Sequence, residues 1–177
     1  MQELAIEEMA RTNATHRVII KAEDLNGVGT GFGALSAASA AATTGTLTPF
    51  GALAASVQTT FVAGYLKTPF TAGSITALTL TLGYDLATGT DKAAGYLAAT
   101  SLLTGATPVS YFPVEIADPS DATTTQAAAV TLVKRVSKAF AAAQTLQALF
   151  TSTTANLTDL LTGEVHLYFR NLDLSNI

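Results

Sequence analysis

The chain contains no cysteine in 177 residues. That excludes disulfide staples, thiolate nucleophiles, zinc knuckles and iron–sulfur ligation. Charge is also scarce. Asp, Glu, Lys and Arg make up 12% of the residues, about half the ~25% of an average soluble protein. A basic stripe of the kind that neutralises phosphates is missing too: the net charge is -4 and the densest cationic stretch is Lys134, Arg135 and Lys138. Three cations are too few, so no nucleic-acid partner is expected. Long runs of Leu, Ile and Val are absent as well. The most apolar window, residues 31–56, is broken by Ser, Thr, Gly and Pro49 and its apolar residues are mostly small, so no membrane span is expected where ~20 predominantly apolar residues are needed.

What the chain does have is small and neutral. Hydrophobic residues account for 49%, and Ala plus Thr supply roughly a third of the sequence. Such residues make flat, weakly charged surfaces suited to packing against other subunits. The length fits one domain of ~100 to 200 residues with its own core. The N-terminal MQELAIEEMARTN is acidic where a secretory signal would be basic, so folding in the compartment of synthesis is expected.

Patterning points to strands. Residues 1–14 read as an N-terminal arm or short helix, and 15–177 as one β-sandwich domain with an Ala/Thr/Gly-rich excursion at 27–56. RVIIKA (17–22) is β-branched and ends at a turn-prone Glu-Asp-Leu-Asn-Gly. VQTTFVAGYL (57–66) is a strand that Lys67-Thr68-Pro69-Phe70 is expected to interrupt. ITALTLTLGY (75–84) puts Leu78, Leu80 and Leu82 on one face, with Thr76, Thr79 and Thr81 marking the polar positions and one slip near Ala77. Residues 94–103 suit a strand or short helix, and VSYFPVEI (109–116) an edge strand because of Pro113. Residues 127–144 match both helical and strand spacing, while TLQALFT (145–151) reads as a strand. Seven or eight short strands separated by turns predict an all-β, antiparallel, jelly-roll-like sandwich.

The stretch GEVHLYFRNLDL (163–174) holds one of the two histidines. Period-two alternation assigns Glu164, His166, Tyr168 and Arg170 to one face and Val165, Leu167 and Phe169 to the core. His166 between an acid and a cation has the composition of a general acid or base. The same composition also describes the polar face of a half-buried strand, and no nucleophile elbow accompanies it. No catalytic, cofactor or metal residue is therefore assigned, and Glu164, His166, Tyr168 and Arg170 are candidates for a subunit interface. There a histidine would make assembly pH-sensitive. His16 and His166 lack the spacing of a metal pair. GTGFGA (29–34) matches a loose dinucleotide loop, but no strand leads into it and no acid follows at the required distance. Asp118-Pro119-Ser120-Asp121 with Glu115 reads as a turn, since it lacks the dense ligands of a calcium loop.

NLTDLLTGEVHLYFRNLDLS (156–175) resembles the C-terminal pattern of small proteins that decorate, or cement, the outer capsid surface of tailed bacteriophages. In the same order come RVIIKAEDL, GYLKTPFTAGSITALTLTLGYD, GYLAATSLL and AAAQTLQALFTSTTANL, so the resemblance spans most of residues 16–175. The Ala/Thr-rich segment 31–56 departs from the shorter form of that group. The resemblance implies a jelly-roll or related sandwich, commonly a homotrimer, with the major capsid protein as partner, no cofactor and no catalysis. It places the protein on the virion surface, after assembly in the host cytoplasm, with Val165, Leu167 and Phe169 in the core of a closing strand. The alternatives are a tail, neck or head-fibre component, or a β-sandwich that binds a ligand or glycan.

Overall fold

A computed structural model describes residues 2–3, 14–30, 33–87, 92–103, 110–111, 137–138 and 143–173. Within them, eleven strands form two sheets, and every pairing between strands is antiparallel. The first sheet runs β1 (Gln2–Glu3), β2 (His16–Lys21), β11 (Leu160–Asp173), β5 (Val57–Ala72) and β8 (Ser110–Tyr111), with β9 (Ser137–Lys138) also on β5. The second runs β3 (Thr44–Leu47), β10 (Gln144–Thr153), β6 (Ala77–Leu86) and β7 (Lys92–Ser101), with β4 (Ala52–Leu53) also on β10.

Alternation decides which side of each strand is buried. On β10, Leu146, Ala148 and Phe150 are fully buried while Thr145, Gln147, Leu149 and Thr151 are partly exposed. On β6, Leu78, Leu80 and Leu82 point inward and Thr79 and Thr81 outward. They meet Val18 and Ile20 of β2, Phe61, Leu66 and Phe70 of β5, and Val165, Leu167 and Phe169 of β11 in one continuous core. The chain is thus an all-β sandwich. Burial of this apolar surface is the main driving force, at ~25 cal/mol per Å² removed from water.

One polar group crosses that core. Gln144 of β10, 1% exposed, accepts from the Tyr96 hydroxyl at 3.3 Å and donates through Nε2 to the Val57 carbonyl at 3.3 Å. It ties the second sheet to the first, and it satisfies a buried phenol whose ionisation burial strongly opposes.

Four stretches depart from the sequence expectation or settle what it left open. Lys67-Thr68-Pro69-Phe70 does not end its strand: β5 continues for 16 residues to Ala72. The register explains why, since Thr68 faces Glu164 and Thr71 faces Thr162, so Pro69 and Phe70 together oppose Gly163 alone. A proline is tolerated at such a bulge because no ladder hydrogen bond needs its missing N–H. Residues 94–103, open between strand and helix, fall largely in β7. The excursion 27–56 holds a helical turn, Ala37–Ala40, capped where the Ser36 hydroxyl accepts from Ser39 N–H, and then β3 and β4. Small residues let this chain lie against the core: a Cβ on Gly45 would sit 2.3 Å from Leu35 Cδ1. Gln2–Glu3, in the expected arm, pairs with His16 and Arg17. The readings of residues 4–13, 109, 112–116, 127–136 and 139–142 lie outside the described residues. Among those described, no helix is long and apolar enough to cross a membrane.

Gly163 makes the bulge possible. Its φ of +147° is a glycine conformation, and a Cβ there would lie 2.3 Å from Phe70 Cγ and 2.8 Å from Phe70 Cα. Because backbone as well as ring would have to shift, Gly163→Ala is expected to cost roughly 2–4 kcal/mol in urea unfolding, combining overpacking with backbone strain. An unchanged unfolding midpoint would contradict this account of the bulge.

Candidate functional site

The outer face of the first sheet gathers the residues singled out in the closing motif. β11 lies inside its sheet, hydrogen-bonded to β2 on one side and β5 on the other. Val165, Leu167 and Phe169, at 0–1% exposure, face the core. The alternate side chains therefore face outward, in rows set by the register. Glu164 lies between Lys21 and Thr68, His166 between Ile19 and Tyr65, and Tyr168 between Arg17 and Ala63, while Arg170 is opposite Thr60.

Strand pairing adds what spacing along one strand could not reveal. Lys67 Nζ donates to Glu164 Oε1 at 3.1 Å, and His166 Nε2 lies 2.5 Å from the same oxygen. The imidazole is enclosed by rings, with Tyr65 edge-on at 6.3 Å between centroids and Tyr168 tilted at 6.5 Å. It is consequently only 8% exposed, although a histidine on the outer face of a strand reads as a surface residue in sequence. Tyr168 also packs with Val62, Ala63 and Ala14 in a small second apolar cluster outside the sandwich. Beside the exposed Lys21 and Lys67 side chains, large apolar groups also reach solvent: Ile19 is 37%, Tyr65 45% and Leu172 44% exposed. At the Glu164 end an open groove of about 380 Å³ is lined by Lys21, Glu23, Asn26, Val28, Leu161 and Glu164, among others.

The other sequence candidates do not join this face. His16 sits opposite Phe169 on the inner side of β2, with Phe50 edge-on to its ring at 6.0 Å and its Nδ1 2.7 Å from Thr15 Oγ1. His16 and His166 thus lie on opposite faces of one sheet, which separates them as a metal pair. In GTGFGA, Gly29 N–H donates to the Glu23 carbonyl at 2.8 Å, and Leu35 N–H to that of Asp24 at 2.8 Å. Gly29 thus packs against the helical turn Ala22–Leu25, which buries Leu25. Asp118, Ser120, Asp121 and Glu115 lie outside the described residues, as does Lys134-Arg135. Among the described residues no group of three or more His, Asp and Glu could hold a metal ion. No family model, curated protein or solved structure matches this chain.

Electrostatically the centre of the face is Glu164. The hydrogen bond from His166 is the largest influence, and with Lys67 it holds the carboxyl below its ordinary value of 4.5 despite some desolvation. A carboxyl whose folded-state pKa is lowered contributes stability above its unfolded-state value and loses it as pH falls through the folded-state value. Wild-type stability should therefore fall on acidification below about pH 4.5, and Glu164→Gln should flatten that decline. Urea unfolding at a series of pH values from 7 to ~3 is the check; parallel profiles for the two proteins would show that the carboxylate is not stabilised in the fold.

Proposed function

We propose that this chain is a virion structural protein that binds the outer surface of a tailed-phage capsid and stabilises it through protein–protein contacts, without catalysis. The observation that carries the reading is the strand order. The core of the first sheet runs β2-β11-β5-β8 and that of the second β3-β10-β6-β7, with the chain passing between sheets at most connections. This order supports reading the sandwich as a jelly roll, an architecture at home in viral coat and lectin domains. The resemblance of residues 156–175 to capsid decoration proteins favours the viral branch.

The second sheet supplies a fitting contact surface. Its outer rows run Thr44-Thr151-Thr79-Ser101 and Thr46-Leu149-Thr81. A face without charge in these rows loses little on desolvation, and β-branched threonines give it a fixed shape at small side-chain entropy cost. On this reading the major capsid protein covers the threonine face, and the protein acts as a symmetric oligomer.

Purified protein added to phage heads lacking it should co-sediment with them and raise the temperature at which they rupture. Introducing charge into the threonine face, as Thr81→Lys with Thr151→Glu, should abolish co-sedimentation while leaving the β-sheet spectrum intact. Heads that neither retain the protein nor gain heat resistance would refute the proposal. Retention on a carbohydrate matrix instead would move it to the lectin branch.

A further inference from the structure

The threonine face and the face around β11 are chemically unlike. Of the large hydrophobic side chains that are exposed among the described residues, Ile19, Tyr65 and Leu172 lie on the outer face of the first sheet, and Val28 and Leu161 rim the groove at its Glu164 end. The first-sheet face also has tyrosine and arginine at its middle, Tyr65, Tyr168 and Arg17, with Lys21, Lys67 and Glu164 towards one end. Aromatic and arginine residues within a rim of charges are the composition of a protein interface core.

We infer that this face packs against the same face of a second copy, with the strands antiparallel about a two-fold axis at the level of Leu167. The register makes the arrangement self-complementary. A two-fold there exchanges the rows of Glu164 and Arg170 and those of His166 and Tyr168. Glu164 of each copy then meets Arg170 of the other, so opposite charges pair twice. On β5, Tyr65 shares the row of His166 and Ala63 that of Tyr168, so the protruding Tyr65 of one copy lies over the small Ala63 of the other. On β2, Ile19 lies over the aliphatic stem of Arg17. A three-fold packing of the same faces with parallel strands would instead set the three copies of Arg17 at one level and the three copies of Arg170 at the next, which like-charge repulsion opposes. Isologous contact therefore fits the charges better than the trimer expected from the resemblance. The inference does not depend on capsid binding, because the threonine face remains free in such a dimer.

Light scattering on the wild-type protein at tens of micromolar should give twice 18.1 kDa. Tyr65→Ser should weaken association by about tenfold or more, whereas Leu149→Ser, on the opposite face, should leave it unchanged; circular dichroism confirms that each variant folds. The decisive pair is Arg170→Glu and Glu164→Lys. Each alone sets like charges against each other and should be monomeric, and mixing the two should restore a dimer, since both contacts become Glu–Arg or Lys–Glu. A folding defect cannot produce rescue on mixing. A wild-type monomer, a three-subunit mass, or a dimer indifferent to Tyr65→Ser would overturn the inference, and capsid co-sedimentation, measured separately, would be unaffected by that failure.

Discussion

The structure depends on β11 being paired on both sides. Its neighbours are β2, from the start of the chain, and β5, from the middle. Without β11 the first sheet falls into separate pieces, and the inward row Val165, Leu167 and Phe169 leaves the centre of the core. These are contacts of high sequence separation, whose loop-closure cost is recovered only when the core forms. The bulge at Gly163 belongs to the same constraint. By letting Pro69 and Phe70 oppose one residue, it keeps the 16-residue β5 in register with β11 and delivers Phe70 to the interior at 0% exposure.

The same strand organises the outer surface. Because its inward side is committed to packing, Glu164, His166, Tyr168 and Arg170 must face out, and the neighbours decide what they become. Lys67 and Glu164 turn His166 from a surface group into a buried, hydrogen-bonded one, with Tyr65 edge-on to it. The second sheet, by contrast, presents threonine and alanine outward, with Asp85 at the end of a row beside Thr145. One sandwich thus carries two surfaces of different chemistry, one aromatic and charge-patterned, the other mostly threonine and alanine.

Much of the fold was legible in the sequence where one face is buried and the other solvated. The Leu/Thr alternation of 78–82 and the Val/Leu/Phe alternation of 165–169 each assigned the right side to the core, because a period of two leaves no other solution. Legibility failed where partners matter. Pro69 looked like a strand end, since only the facing glycine reveals the bulge that accommodates it. The segment 27–56 looked irregular because its elements are short and are held by burial of Leu35, Ala40 and Leu47 rather than by propensity. The candidate site was half visible: the four outward residues of β11 could be named, but Lys67, Tyr65 and Ile19 come from other strands, and nothing in the spacing of residues 19, 65 and 166 announces their meeting.

Hydrogen exchange at single-residue resolution tests the central claim most directly. If β11 is the strand on which the sandwich depends, the hydrogen-bonded amides between Val165 and Phe169 should exchange only through global unfolding, with the largest protection in the chain and a urea dependence equal to that of the whole domain. Exchange of those amides by local opening, well before the amides of β6 and β10, would show that the second sheet stands without β11 and would contradict the account.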